Sequence, residues 1–598
     1  MSEQPKIIND FSITIGTVNG SGSQTANTTI LRALFKMGIP VSGKNLFPSN
    51  IQGLPTWYTI RVNKDGFTSR RDEQEIVICM NPMSFEKDLA NVCPGGAFYY
   101  DDQIKQPILR TDLSIYPMPI KELVKTADVS PNLRDYIANM IYVGVIAQTL
   151  GIDLSKIQAA LDFHFKGKAK PIESNINMVK AGAEWAATNI KKTDPYFIEP
   201  MNMNEGLIMA DGNTAAALGA IYGGVQFAAW YPITPASSLA ESLNEYLPKL
   251  RTSPEGKHTY AVVQAEDELS AIGMAIGAGW AGLRSMTSTS GPGLSLMAEY
   301  AGMAYFAEVP VVIWDVQRIG PSTGLPTRTS QGDVTFVNFM GHGDTQHVIL
   351  FPGSVSECFD FGVIALDLAE RLQTPIFVLS DLDLGMNQWM TPAFKYPEKP
   401  LDRGKVLWEE DLEKLAGSWQ RYGDIDQDGI PYRTIPGNRH PKSGYMTRGT
   451  GHDENARYSE NPEVWEKNMT RLRKKYQTAG TYVPKPISDL SQKSEIGIIT
   501  FGSNEAAVLE ARTLLVQFGI KTDYLRIRAL PFTSEVNDFI KTHKKVYVVE
   551  TNHDGQLHQI LKMDFPENAR TFISISLDNG LALTAKWIET KIAELEVN

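Results

Sequence analysis

Cysteine is scarce in this chain of 598 residues: Cys79, Cys93 and Cys358 are all it has, far apart and never in a CxxC pair. They fall short of the four thiolates that a [4Fe–4S] cluster usually takes. Each reads as a free thiol in a reducing compartment. Excess positive charge is also lacking. Lys and Arg number 57 against 68 Asp and Glu, the formal net charge is −11, and no basic cluster offsets it, so a nucleic-acid partner is not expected. Long hydrophobic runs are missing too: Leu269–Leu283 contains Ser270 and is shorter than the roughly 20 residues a membrane span requires. Met1–Asn9 is polar, with no apolar stretch behind basic residues, so the expectation is a cytoplasmic protein without signal peptide or membrane contact.

Two further motifs each lack one residue. Phe11–Ile15 alternates as a strand, and Gly16-Thr17-Val18-Asn19-Gly20-Ser21-Gly22-Ser23-Gln24 then leads into a helix with apolar Ile30, Leu31, Leu34 and Met37. Strand, glycine loop and helix N-terminus suit a phosphate or pantetheine group, or simply a tight turn. Thr25 stands where a dinucleotide loop needs its third glycine, which disfavours an NAD-linked oxidoreductase. Asp424-Ile425-Asp426-Gln427-Asp428-Gly429 begins like a calcium loop, but position twelve is Ile435 in place of a bidentate Glu, so an acidic turn is expected and no metal site.

What remains is an α/β alternation in several domains. Residues 1–195 predict strands near Thr56–Val62 and Glu75–Met80, helices near Pro131–Leu150 and Leu154–Phe165, a solvated basic turn at Lys166–Pro171 and a helix to about Lys192. Residues 206–395 form a second α/β region, whose Val309–Val316 and Pro375–Leu379 read as parallel strands buried on both faces. Residues 396–490 are charged, rich in Pro and Gly, and predict an irregular insertion or linker. Residues 494–598 alternate strand and helix as a compact parallel domain.

Three segments between Tyr231 and Glu308 are placed to converge on one ligand. Tyr231-Pro232-Ile233-Thr234-Pro235-Ala236-Ser237-Ser238 follows the run Val225–Trp230, which sets Thr234 at the carboxyl end of a strand, where open parallel sheets hold their ligands. Gln264-Ala265-Glu266-Asp267-Glu268 joins the strand Tyr260–Val263 to the helix Ala271–Gly282. Thr287-Ser288-Thr289-Ser290-Gly291-Pro292-Gly293 opens the helix Leu294–Ala307. Glu266, Asp267 and Glu268 have two readings. They are first-turn acids favoured by the helix macrodipole, or Glu268, heading a helix of Ala, Gly, Ile and Met, sits at a core edge and shares a proton with a buried ring nitrogen.

YPITPAS, QAEDE and TSTSGPGLSLM together, followed by Gln317-Arg318-Ile319-Gly320-Pro321-Ser322-Thr323-Gly324-Leu325-Pro326-Thr327 and Glu550-Thr551-Asn552-His553-Asp554-Gly555-Gln556-Leu557, resemble the alpha subunit of 2-oxoacid:ferredoxin oxidoreductases. The likeness covers most of the chain in the right order. It implies an α/β multidomain fold: an N-terminal gamma-type domain fused in front, a transketolase-like domain for the pyrimidine half of thiamine diphosphate, and a transketolase C-terminal-like domain. It implies that Glu268 activates the aminopyrimidine, with Tyr231, Ser290 and Gly291 beside the cofactor. Thr234 and Arg318, with Ser322 and Thr323, would hold the substrate carboxylate. Gly20, Gly22, Lys44, Asn45 and Ser49, in gamma-domain segments, would meet coenzyme A or substrate.

The chain has no Gly-Asp-Gly motif, which thiamine enzymes usually use to anchor Mg2+ and the diphosphate. By the resemblance, those groups and a [4Fe–4S] cluster belong to a partner beta subunit in an alpha2beta2 heterotetramer that reduces ferredoxin. The GPSTGLPT segment and the gamma-before-alpha order resemble the 2-oxoglutarate and broad-range 2-oxoacid branches more than the single-chain pyruvate enzymes; 2-oxoglutarate is the expected substrate, with pyruvate or a broad 2-oxoacid range as the alternative. Lys44, Arg448 or the partner chain would supply the cation for a second carboxylate. A non-catalytic assembly subunit stays open as another class of reading.

Overall fold

The computed structural model describes residues 5–48, 53–126, 128–415 and 419–597. The chain forms two compact units, one running to Met209 and including Asn387–Ala393 and Thr584–Lys586, the other holding Ala210–Met386, Phe394–Leu583 and the end of the chain.

The first unit is built on a mixed six-stranded sheet in the order Val41–Leu46, Pro55–Asn63, Asp10–Val18, Gln74–Cys79, Val92–Asp101, Ser114–Met118. Alternate residues of the central strand, Phe11, Ile13 and Ile15, are fully buried and meet Ile30, Leu31 and Leu34 of the helix Ser23–Lys36. Two expectations need correction here. The helix predicted over Pro131–Leu150 is two helices, Pro131–Ile137 and Met140–Leu150. The basic turn ends early, because Ala169–Asn189 is already helical with Pro171 in its first turn, where a missing N–H costs nothing.

The second unit carries a seven-stranded sheet in the order Ala261–Gln264, Phe227–Trp230, Ser285–Thr289, Val311–Gln317, Pro375–Asp381, Val348–Leu350, Ala529–Leu530. All neighbours are parallel except the last pair. Val311–Gln317 and Pro375–Asp381 are buried along their whole length, as expected for central parallel strands covered on both faces. A five-stranded sheet follows, with Ile496–Phe501 between Asp523–Ile527 and Lys545–Glu550. The two sheets share one hydrophobic core, in which Ile313, Phe377 and Leu379 pack in a cluster with Ile499, Phe501, Leu525 and Val548.

The stretch expected to be irregular carries the helices Glu409–Lys414 and Pro462–Ala479. The second escaped a hydrophobic-periodicity reading because its buried face is Asn468, Arg471, Leu472, Lys475 and Ala479, largely polar. Its cations meet Glu308, which ends the helix Gly291–Ala307 at a left-handed φ of 56°. Arg471 Nη2 and Nη1 donate to the Glu308 carboxylate at 2.6 and 2.9 Å, and Lys475 Nζ at 2.7 Å. Burial pushes this carboxyl up, but Arg471 and Lys475 outweigh it and hold the pKa at about 2. The acidic turn at Asp424 is occupied by a cation of the chain itself, since Lys405 Nζ lies 2.7 Å from Asp426 and 2.8 Å from Asp428.

Candidate active site

Four neighbouring strands of the seven-stranded sheet deliver the predicted residues from their carboxyl ends. Trp230 leads to Tyr231 and Thr234, Gln264 to Glu268, Thr289 to Ser290 and Gly291, and Gln317 to Arg318. The three acids of the second segment part ways. Glu266 is exposed. Asp267 is the N-cap of the helix Glu268–Trp280: its Oδ1 accepts from Ser270 N at 2.6 Å, which lowers its pKa. Glu268 is 7% exposed, and among the described residues its carboxyl has no hydrogen-bond or ionic partner. Gly293 explains the fit around it, for a Cβ there would lie 2.0 Å from Thr289 Oγ1 and 2.9 Å from Glu268 Cγ.

Arg318 Nη1 donates to the Thr234 carbonyl at 2.7 Å and Nη2 to the Thr323 carbonyl at 3.4 Å, while its Nε is buried with no acceptor among the described residues. Burial lowers its pKa, and the Asp333 charge opposes this. Arg318 thus ties the Thr234 turn to the Thr323 turn. Thr234 is not a helix cap, since Ala236 holds that position before Ser237–Leu250. Ser290 is fully buried and its Oγ lacks a partner among the described residues, whereas Tyr231 is 37% exposed.

Beside these residues lies a cavity of about 620 Å³ lined by Gly291, Arg318, Ser322 and Thr323 of the predicted set, together with Asp333 and the loop at Asn552–Asp554. Ser322, which lines the cavity with Thr323, has a left-handed φ of 59°. The far wall comes from the second sheet. Glu550, fully buried at a strand end, accepts from Asn552 Nδ2 at 2.9 Å, Leu557 N at 2.8 Å and His558 N at 2.9 Å, and so fixes the loop between them. Gln556 grips the turn and helix start at Gly332–Thr335, donating to Gly332 O at 2.6 Å and accepting from Thr335 N at 2.9 Å. His553 pairs with Asp554 at 2.9 Å, which raises its pKa. Asp333 is the residue the sequence reading missed.

Thiamine diphosphate, which the resemblance implies, can be tested against these residues for its pyrimidine half. An unpartnered buried carboxyl at Glu268 and an orphaned buried hydroxyl at Ser290 suit a heterocycle with a ring nitrogen and an amino group. Among the described residues no group of His, Cys, Asp or Glu could hold a metal ion. Cys79 and Cys358 are buried, and burial pushes both thiols well up.

The other predicted contacts lie in the first unit. Gly20 and Gly22, with left-handed φ of 87° and 77°, turn the chain into the helix at Ser23. Lys44 and Asn45 belong to the strand Val41–Leu46. Gly16 and Leu46 both stand opposite Trp57, which brings the two segments to one end of that sheet. Lys44 Nζ lies 4.0 Å over the Trp389 ring, and Asn45 N donates to Asn387 Oδ1 at 2.9 Å. Ser49 falls outside the described residues. Arg448 Nε binds the Ala456 carbonyl at 3.2 Å. Arg448 does not line the cavity, where Arg318 and His553 are the basic side chains among the described residues.

Comparison with known proteins is decisive. Residues 218–399 match the family described as "Pyruvate flavodoxin/ferredoxin oxidoreductase, thiamine diP-bdg", and residues 12–185 match "Pyruvate ferredoxin/flavodoxin oxidoreductase". Subunit alpha of 2-oxoacid:ferredoxin oxidoreductase 1 from Sulfurisphaera tokodaii is 30% identical over 97% of this chain and 98% of its own. This chain belongs to the 2-oxoacid:ferredoxin oxidoreductase alpha subunits. The 2-oxoglutarate synthase subunit KorA of Methanothermobacter thermautotrophicus is 35% identical over 62% of the present alpha subunit and 91% of KorA. A solved structure, 2-oxoglutarate:ferredoxin oxidoreductase from Magnetococcus marinus with 2-oxoglutarate, coenzyme A and succinyl-CoA bound, covers 99% of this alpha subunit and 100% of its own chain, with a TM-score of 0.87 and 28% identity. The multidomain α/β fold and the enzyme class expected from the motifs are those of the family.

Proposed function

We propose that this alpha subunit serves a 2-oxoglutarate:ferredoxin oxidoreductase, converting 2-oxoglutarate and coenzyme A to succinyl-CoA and carbon dioxide and passing the electrons to ferredoxin through a beta subunit. The observation that carries this reading is the pairing of Arg318 with the Thr234 turn beside the unpartnered Glu268. The full-length likeness to an enzyme solved with 2-oxoglutarate and succinyl-CoA bound favours the five-carbon substrate over pyruvate. Thiamine diphosphate, when bound, supplies an electron sink for decarboxylation next to the 2-oxo carbon. Glu268 holds and returns the proton at the pyrimidine N1′, and Tyr231, Ser290 and Gly291 keep the ring in register with it. Arg318 takes the substrate carboxylate with a planar guanidinium, the Thr234 hydroxyl donates a second hydrogen bond, and Ser322 and Thr323 close the mouth. The glycine loop at Gly20–Gly22 and the strand end at Lys44–Asn45 hold coenzyme A. Mg2+, the diphosphate and the iron–sulfur cluster sit on the beta subunit, with the whole assembled as alpha2beta2 in the cytoplasm.

The test is co-expression with a candidate beta subunit and anaerobic assay of coenzyme A-dependent ferredoxin reduction. The complex should turn over 2-oxoglutarate with a higher kcat/KM than pyruvate, and the isolated alpha subunit should show neither turnover nor cluster absorbance. A preference for pyruvate, or activity from the isolated chain, overturns the reading.

A further inference from the structure

We propose that Asp333, backed by Asp315, is a substrate-responsive counter-ion of Arg318: it balances the guanidinium while the cavity is free of 2-oxoacid, and the pair takes up a proton when the 2-oxoacid carboxylate arrives. This rests on the function proposed above and names a positioning device for that same site.

Asp315 stands in the middle of the strand Val311–Gln317, fully buried, with both carboxyl oxygens lacking a hydrogen-bond donor among the described residues. Asp333 lines the cavity with Arg318, and its Oδ2 is likewise buried and without a donor. Its carboxyl lies across Gly291, where an added Cβ would stand 3.0 Å from Oδ2 and 3.1 Å from Oδ1. The position is held firmly: Asp333 N donates to Gln317 Oε1 at 3.1 Å, and Gln556 clamps Gly332 and Thr335 on either side. Two neighbouring buried carboxyls cannot both stay ionised, so one proton must serve the pair. Burial pushes Asp315 well up and the Asp333 charge adds to it, which assigns that proton to Asp315. Burial also raises Asp333, against the pull of Asp315 and Arg318.

Without Asp333 the cavity would contain a desolvated guanidinium with only carbonyl partners, a costly arrangement. With a substrate carboxylate on Arg318, an ionised Asp333 would face a like charge, so its pKa must rise. Binding then consumes a proton wherever Asp333 is ionised in the substrate-free complex, and apparent affinity falls by up to about tenfold per pH unit there, levelling off at lower pH. The other titratable groups on the walls are His553, paired with Asp554, and Asp578, which burial raises.

The test uses the alpha–beta complex. Depleted of thiamine diphosphate, it is titrated with 2-oxoglutarate at pH 7 by calorimetry in two buffers of different ionisation enthalpy, which counts protons. Fully loaded, it is assayed for KM and kcat from pH 5.5 to 8. The wild type should take up a sizeable fraction of a proton, and its KM should rise with pH while kcat follows its own profile. Asp333→Asn should bind without proton uptake and show a flat KM. Asp315→Asn, donating without a proton to lose, should shift the KM rise to lower pH. His553→Gln should leave the proton count unchanged. Equal counts in wild type and Asp333→Asn overturn the inference while leaving the 2-oxoacid function intact. So does a thiamine-depleted complex that fails to bind yet turns over on reloading. A complex that turns over no 2-oxoacid refutes the function itself.

Discussion

Replacing Glu308 by Gln tests how the segment 396–490 is attached. The carboxylate, fully buried, receives two hydrogen bonds from Arg471 and one from Lys475, both cations themselves buried. A carboxyl held at about 2 in place of 4.5 corresponds to about 3 kcal/mol of stabilisation at neutral pH. Removing one partner of a buried pair independently suggests about 3–5 kcal/mol. The lower end is expected, because Lys475 is already lowered to about 8 by burial and becomes neutral once Glu308 is gone. Local opening of the helix Pro462–Ala479 should therefore increase on the order of 100-fold. Hydrogen exchange read by mass spectrometry on peptides from that helix measures it directly. The sign with pH follows from a depressed carboxyl: the contribution is complete above about 4.5 and disappears as pH falls toward 2. Wild-type protection should decay across that window, and Glu308→Gln should show no such decay. Unchanged exchange in the variant, or the same acid decay in both proteins, would refute the reasoning.

Two further substitutions address the site. Arg318→Lys should raise the KM for the 2-oxoacid by the equivalent of about 1.5–3 kcal/mol, since a charge-assisted bond is lost, with much less effect on thiamine diphosphate affinity; equal effects would place Arg318 elsewhere. Glu268→Gln should slow C2–H deuterium exchange of the cofactor in the assembled complex by about 10²–10⁴-fold, whereas Glu266→Gln, on an exposed side chain, and Asp267→Asn, which preserves the N-cap, should leave exchange almost untouched. If Glu266 or Asp267 controls exchange, the assignment of roles among the three acids is wrong.

Most strands of the parallel sheets were legible because their residues are apolar for a purely physical reason, burial on both faces: Pro375–Leu379 was read to within two residues of the observed Pro375–Asp381. Helix ends were misread where capping chemistry decides them, so that Glu268–Trp280 begins three residues before the expected Ala271 because Asp267 caps it. Pro462–Ala479 was invisible because ion pairs replace apolar residues on its buried face. At the site, convergence of Thr234, Glu268, Ser290 and Arg318 followed from the rule that ligands gather at the carboxyl ends of parallel strands. The far wall did not, since no local pattern says that Asn552 and His553 meet Arg318 across a sequence gap of more than 200 residues. One sign was available and overlooked: Asp315 is a single acid inside the run Val-Val-Ile-Trp-Asp-Val, and an acid amid residues destined for the interior signals a neutral or paired carboxyl.

The common core of the two sheets also governs how the chain is made. Ile313 and Phe377 are completed by Val548 and Phe572, which are synthesised long after them. The six-stranded sheet of the first unit has all its strands by Met118 and can consolidate early. The second unit must wait for the strands that contain Val548 and Phe572, its half-built sheet exposing apolar strands until then. A premature stop near residue 490 would remove far more than a peripheral sheet: it would leave a long-lived, sticky intermediate for chaperones and proteases to resolve.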